Sequence, residues 1–564
     1  MEKRWVQRHV DEDVRRLLMR EINLSPVTAG VLAGRGICTP ALAESFLYPS
    51  LHHLRPPEIL KGIPAAAARI IEGIERKEKI LIFGDYDVDG VSGTALLLRF
   101  FHELGARVAY RLPHRQREGY GLSLQCIEDA VQQDFRLLIT VDCGLGNHRE
   151  AARAKEMGLS LIITDHHELP STLPDADAVI HPDLASDPEG YRHLSGVGVA
   201  FLLITALRAV LRERGFWRGR KEPNLKEYLD LVALGIIADV APLIGANRIL
   251  VAHGLEVLGR NDRPGLAALK VVSDIRGPDI SAGIVGYRLA PRINAAGRMG
   301  SADEGLRLLL TQNTGEAESL AKRLDRENRR RQEIEEQILK EAEAMMEPPP
   351  GPIILASPGW HVGVIGIVAS RLVDSHYRPA ILLNIRDGVA QGSARSVEGF
   401  HLCRGLEACR DVLIRYGGHQ YAAGLALHEE QLPRFRRMFH RVVEEHLRPE
   451  EIIPLLRTDE LLSPGQITRE LLSEMSRLAP FGPGNPEPAF VSTPLEVVSV
   501  KRLRHNHLRL RVREEGRFYD AIGFSMGEEE SRIKSPIQLA FMPEINRWQG
   551  TERLQLRIRD FRCL

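Results

Sequence analysis

The chain has 564 residues carrying 75 basic and 75 acidic side chains, so its formal net charge is zero. That length implies three or four domains, each able to bury a core, and the charge balance argues against a protein that coats nucleic acid indiscriminately. Six scattered cysteines without paired spacing, a charged N-terminus and no apolar run of membrane-spanning length point to a protein of the reducing cytoplasm.

Residues 1–50 read as a short helical lead-in with a break at Asn23–Pro26. Residues 51–313 alternate short apolar runs with segments of helical length such as Val91–Leu104 and Asn147–Gly158. This pattern predicts βαβ units and a parallel sheet. Three of the apolar runs end in acids. Lys79–Phe83 leads into Asp85, Asp87 and Asp89, Leu137–Val141 into Asp142, and Leu159–Thr164 into Asp165-His166-His167. Ligands of such sheets bind outside the carboxyl ends of the strands, so the three clusters converge on one edge. Unpaired carboxylates packed together repel strongly, and divalent cations are their natural counter-charge.

Oxygen donors with one or two imidazoles suit Mn2+ or Mg2+, and without a Cys-x-x-Cys pair a structural zinc site is not expected. Two such ions would activate water and clamp the leaving oxygen of a phosphoester. Cys143, beside Asp142, reads as a buried strand-end thiol rather than a nucleophile.

The charged segment 314–347 spaces Leu320, Leu324, Ile334, Ile338 and Leu339 as one helix face does. It reads as a rigid spacer that Pro348–Pro352 stops. Residues 348–453 return to α/β alternation. From 454 to 564 the character changes. Leu508–Arg513 and Leu554–Arg559 alternate apolar residues with mostly basic ones, the mark of a sheet with one exposed face. With Phe518, Tyr519 and Trp548 nearby, a five-stranded barrel of the OB type is expected, with cations for phosphates and rings for bases. Basic residues also gather at Arg111–Arg117 and Lys501–Arg513.

Asp87-Val88-Asp89, Asp142, Asp165-His166-His167 and Asp239 match, in order, the four motifs of the DHH phosphoesterase superfamily. Ser195–Phe201, Pro291–Met299, Gly359–Gly366, Gly392–Ser396 and Gly417-Gly418-His419 resemble its branch of bacterial single-strand-specific 5′→3′ exonucleases of DNA repair and recombination. The resemblance spans roughly residues 50 to 500. It implies an α/β protein of two lobes, a DHH phosphoesterase domain (51–313) and a DHH-associated domain (348–453), joined by the helix 314–347, with the OB-type barrel at 454–564.

The resemblance also implies site roles. Asp85 and Asp87 would hold one ion, Asp89, His166 and Asp239 the other, and Asp142 both. His167 would touch the substrate phosphate, with Asp165 orienting His166 from behind. Several superfamily members carry a His where this chain has Phe83, and Asp85 is the expected replacement. Arg292, Asn294 and Arg298, in what reads as a loop, join Arg115, Ser393, Arg395, Gly417, Gly418 and His419 as contacts to the strand or its 5′-terminal phosphate. Partners implied are single-stranded DNA, a single-strand-binding protein and a helicase, the enzyme itself being a monomer.

Two other classes share these features. One is a DHH enzyme acting on oligoribonucleotides, cyclic dinucleotides or pyrophosphate, against which the basic tail from Lys501 argues. The other is a replication scaffold that has lost its metals, against which the intact acidic set argues.

Overall fold

The computed structural model describes residues 3–115, 117–187, 190–348, 351–448, 453–548 and 551–564. Pro349 and Pro350 of the expected helix stop, Gln116 in the basic stretch Arg111–Arg117, and the side chain of Trp548 lie outside the described residues. The chain divides into two compact units. One comprises Leu51–Ile452 with Gly482–Asn485, the other Met1–Ser50 with Ile453–Phe481 and Pro486–Leu564. The lead-in at residues 1–50 therefore folds with the C-terminal sheet.

In the larger unit, a parallel sheet sets its strands side by side as Arg107–Arg111, Lys79–Gly84, Phe135–Val141, Ser160–Thr164 and Ala178–Ile180. The central strands are near-continuous apolar runs because both their faces are buried. After the strands Lys79–Gly84, Phe135–Val141 and Ser160–Thr164, one more backbone hydrogen bond carries the ladder past its end. Asp85 N–H donates to Val141 O, Asp142 N–H to Thr164 O, and Asp165 N–H to Ile180 O, at 3.1, 3.0 and 3.2 Å. The three acids thus stand in a row along the carboxyl edge. Phe83 is buried in the core, on the strand itself.

The second lobe has a mixed sheet rather than simple α/β alternation. Its spatial order is Ile353–Ser357, Ala380–Arg386, Val389–Arg395, Ala422–His428 and Arg415–Gly418, with only the first pair parallel. The reason is local: Asp387 and Gly388 both have positive φ, as a tight hairpin turn requires, so the chain doubles back after Arg386. The helix Thr314–Met345, capped by Asn313, joins the lobes. Leu320 and Leu324 enter the first lobe's core, Ile338 and Ala342 the second's. The buried residues between them are polar: Asp325, Asn328, Arg331 and Glu335.

In the smaller unit, helices Glu12–Ile22, Pro26–Gly34 and Pro40–Leu47 share one core with the C-terminal sheet. That sheet has seven strands in open order, not five in a fully laddered barrel. Two short strands, Glu460–Leu461 and Phe490–Val491, extend one side. The five expected strands approach closure through a single bridge, in which Leu495 and Ile537 exchange backbone hydrogen bonds. Along His507–Glu514 the burial alternates as the sequence predicts. Among the described residues, no helix is long and apolar enough to cross a membrane.

Candidate metal centre

Asp87 sits at the N-cap of the helix Val88–Leu104, accepting from the N–H groups of Asp89 and Gly90 at 3.0 and 3.1 Å. That cap turns Asp89 inward, where it is fully buried. Its carboxylate accepts from Gly196 N–H at 2.6 Å, Val197 N–H at 3.0 Å and the Ser195 hydroxyl at 3.2 Å, all at the start of the helix Gly196–Glu213. Positive helix-terminus amides therefore hold Asp89 in place. Glycine is needed here for space: a Cβ on Gly196 would lie 2.7 Å from Asp142 Cβ, and one on Gly235 2.6 Å from Asp89 Oδ1.

Asp142 adopts φ 64°, a left-handed conformation that Asp tolerates better than most residues and that turns its carboxylate off the strand. Asp239 arrives differently, as the C-cap of the helix Leu229–Ala238. His166 Nε2 lies 3.0 Å from Asp142 Oδ1 and 3.8 Å from both Asp89 Oδ2 and Asp239 Oδ2.

Among the described residues, three sets of donor atoms are close enough to share an ion: Asp85, Asp87 and Asp142; Asp89, His166 and Asp239; and Asp142, His166 and His167. Asp85 Oδ1, Asp142 Oδ1 and His166 Nε2 are buried with no hydrogen-bond partner among the described residues. Buried polar atoms left unsatisfied are costly, so atoms converging in this way fit a cation. Asp85 thus lies beside Asp87 and Asp142 in the first set.

Electrostatics agree. Burial, then the neighbouring carboxylates, pushes Asp85, Asp142 and Asp239 well above the usual carboxylate range, and Asp89 to about 7. Burial, then His167, lowers His166 to about 3, leaving a neutral imidazole suited to coordination. Burial also raises the Cys143 thiol far above its ordinary value, with Asp85 and Asp165 adding to the shift, so no thiolate nucleophile is available there.

The ring that Asp165 holds is His167, not His166 as expected. Asp165 Oδ1 accepts from His167 Nδ1 at 2.8 Å and from the backbone N–H groups of both histidines. Burial opposes a charged His167, but Asp165 keeps its pKa raised. Tyr120, which had no role from sequence, donates to Asp142 O at 3.1 Å and stands edge-on to the His167 ring. The flanking Gly119 and Gly121, both at positive φ, were the available signal.

Pro291–Met299 is not a loop but part of the helix Ala290–Met299, with Pro291 tolerated in its first turn. Two of its expected strand contacts are committed elsewhere. Arg292 pairs with Asp325 of the connecting helix at 2.9 Å, and Asn294 Oδ1 accepts from Val88 N–H at 3.1 Å, bracing the Asp87–Asp89 turn. Arg298 reaches across to the second lobe, donating to Gly363 O at 3.2 Å. Burial, then Arg115 and Arg395, lowers its pKa to about 10.

Arg395 and Ser393 lie on a strand rather than in a loop. Arg395 donates to the Ser370 hydroxyl at 3.1 Å, and a Cβ on Gly366 would meet both Ser393 and Arg395 at 3.2 Å. Arg115 stacks on the Tyr86 ring, 4.9 Å from its centroid. Guanidinium groups from both lobes thus gather within electrostatic reach of one another and of Asp87. Gly417 and Gly418 form part of the second lobe's edge strand, and His419 stacks on His167 with centroids 6.0 Å apart.

Family models match along most of the chain: the DHH family N-terminal domain over residues 79–236, the DHHA1 domain over 351–445 and the RecJ OB domain over 458–560. The single-stranded-DNA-specific exonuclease RecJ of Bacillus subtilis is 38% identical over 99% of this chain and 70% of its own length. RecJ of Salmonella typhimurium is 35% identical over 95% of this chain and 96% of its own. The structure of Thermus thermophilus RecJ in complex with Mn2+ superposes with a TM-score of 0.86, covering 99% of this chain and 79% of that one at 33% identity. A Mg2+ complex of the same protein matches as well. With identity of this level running through both lobes and the C-terminal sheet, the chain belongs to the RecJ family of DHH phosphoesterases.

Proposed function

We propose that this chain is a metal-dependent exonuclease that degrades single-stranded DNA from the 5′ end and releases 5′-mononucleotides in DNA repair and recombination. The observation that carries this reading is the convergence of Asp85 Oδ1, Asp142 Oδ1 and His166 Nε2, buried and without hydrogen-bond partners among the described residues. Asp85 and Asp87 would hold one divalent cation and Asp89, His166 and Asp239 the other, with Asp142 serving both. When bound, two Mn2+ or Mg2+ ions supply Lewis acidity for water activation and for charge on the leaving oxygen.

The chain's own groups supply position. Asp165 fixes the His167 ring through Nδ1, leaving Nε2 as that ring's polar atom for the scissile phosphate. Arg298, Arg395, Arg115 and Ser393 hold the terminal 5′-phosphate. Arg298 lies within electrostatic reach of Asp87, so a terminal phosphate held by it would stand near the residues that would hold the cations. Gly417, Gly418 and His419 present an exposed edge along which the strand enters. Arg292 and Asn294, engaged within the fold, support the site rather than grip the strand. A cytoplasmic monomer that takes strands opened by a helicase and covered by a single-strand-binding protein completes the reading.

Single strands labelled at one end test it. A 5′ label must appear as mononucleotide from the first turnover, whereas a 3′ label must give a descending ladder, both only with divalent metal. A ladder from the 5′ label would mean attack from the other end.

A further inference from the structure

Val240, the residue after Asp239, adopts φ 60° and is the only β-branched residue at positive φ among the described residues. Its surroundings show why the backbone is there and why the side chain is out of place. Val240 N–H donates to Ile237 O and Ala241 N–H to Ile236 O, both at 3.2 Å, the paired hydrogen bonds that end a helix through a left-handed residue. Glycine is the usual occupant of that position, since a branched Cβ crowds the backbone there. The apolar contact that accompanies such an ending is already made by Ile236 and Ala241, both buried. Val240 adds nothing to it, because the residue is 65% exposed.

A strained residue whose side chain repays nothing in the folded core points to a role outside it. Consecutive Cα atoms lie about 3.8 Å apart, so Val240 stands next to a member of the Asp89–His166–Asp239 cluster. A nucleotide whose phosphate rests on that cluster brings its sugar or base within the side chain's reach. We infer that Val240 is a substrate-contacting residue, its isopropyl group packing on the sugar or base of the nucleotide that flanks the scissile phosphate. This rests on the single-strand hydrolysis proposed above.

The test uses the full-length protein with Val240→Gly and Val240→Thr, reading melting temperature, Mn2+ affinity by calorimetry, and kcat/KM on a short single strand. Val240→Gly should raise the melting temperature by relieving strain and lower kcat/KM about tenfold, the equivalent of an apolar side chain no longer covered. Val240→Thr keeps the branching and the strain, so it should melt like wild type and lose less. Mn2+ affinity should stay constant in both. Unchanged kcat/KM in Val240→Gly overturns the contact, a lower melting temperature overturns the strain argument, and Mn2+ affinity falling in step assigns the effect to Asp239 instead. Failure of the wild-type protein to hydrolyse single strands would refute the proposed function, a separate result.

Discussion

The metal edge and the C-terminal sheet both concentrate charge, but they treat it in opposite ways. At the carboxyl edge, Asp85, Asp142 and His166 each bury a polar atom with no hydrogen-bond partner among the described residues. On the C-terminal sheet, the arginines that looked free in sequence find partners within the chain. Arg509 pairs with Asp520 at 3.2 Å, Arg513 with Glu496 at 2.7 Å, and Arg511 lies over the Phe518 ring. Two strands away in the same sheet, on Thr551–Cys563, Arg557 pairs with Glu487 and Glu544. Charge left unsatisfied in the interior is kept for a ligand, while charge paired at the surface is weakly held and contributes little either way.

The sharpest break of this contrast is Asp142→Ala. Removing the carboxylate common to two donor sets should lower kcat by more than about a thousandfold, equivalent to roughly 4 kcal/mol of the stabilisation that metal sites supply. The same change removes a buried, repelling charge, so the metal-free variant should melt above the metal-free wild type. A variant that degrades single strands at near wild-type rate with Mn2+ would refute the two-metal arrangement.

Next in size is the coupling between pH and metal. Asp89 has a folded pKa of about 7, against about 3.9 for an ordinary unfolded Asp, and Asp85, Asp142 and Asp239 shift the same way. The folded metal-free protein therefore binds more protons than the unfolded chain across that window. Its stability is fully present below the unfolded value, falls as pH rises, and for Asp89 is lost once pH passes about 7. Cations replace those protons, so the rise in melting temperature on adding Mn2+ should grow from about pH 5 to about pH 8. A Mn2+ effect that shrinks over that range would mean that the acids are not the ligands.

How much of this was legible depended on sequence distance. Apolar runs ending in acids are local, and they located Asp85, Asp142 and Asp165 correctly at one sheet edge. Residues paired across long stretches were not visible. Asp325, which takes Arg292, is 33 positions away, and Asn294 braces Val88 from 206 positions away. Asp165 serves His167 rather than His166 because of ring orientation, which spacing cannot reveal. The Ser195–Val197 motif was visible as a pattern, but its amides acquire a role only once the helix start faces Asp89. The partners of Arg513 and Arg509 follow from strand register, since Arg513 lies directly opposite Glu496 and Arg509 diagonal to Asp520.

The terminal-phosphate site gives a smaller effect. Arg395→Ala should weaken use of a 5′-phosphorylated strand about tenfold relative to a 5′-hydroxyl strand, since a charge-assisted hydrogen bond contributes roughly 1.5–3 kcal/mol. Ser393→Ala should follow in the same direction with a lesser loss. Measuring kcat/KM on both substrates decides it, and equal losses would place these residues along the general backbone path.

The smallest effect belongs to the arginines of the C-terminal strand. If their partners hold them, carboxylates for Arg509 and Arg513 and the Phe518 ring for Arg511, replacing the three together by Ala should change the salt dependence of long-strand binding by well under the roughly 0.7 per phosphate expected of a free cation on a single strand. The same smaller unit offers a different cationic surface, a cleft of about 1400 Å³ whose lining includes Lys3, Arg457, Lys534 and Arg562. Arg562 stacks on the Trp5 ring there, and Phe524 adds an exposed aromatic edge. Replacing Lys534 and Arg562 should therefore flatten the salt slope more than the triple strand variant does, with hydrolysis of a short oligonucleotide unchanged in both. Dissociation constants for a long single strand at several salt concentrations compare the two variants directly. A larger loss from the strand variant would show that its surface pairs open readily for phosphates, and that pairing within the fold does not withdraw those arginines from the substrate.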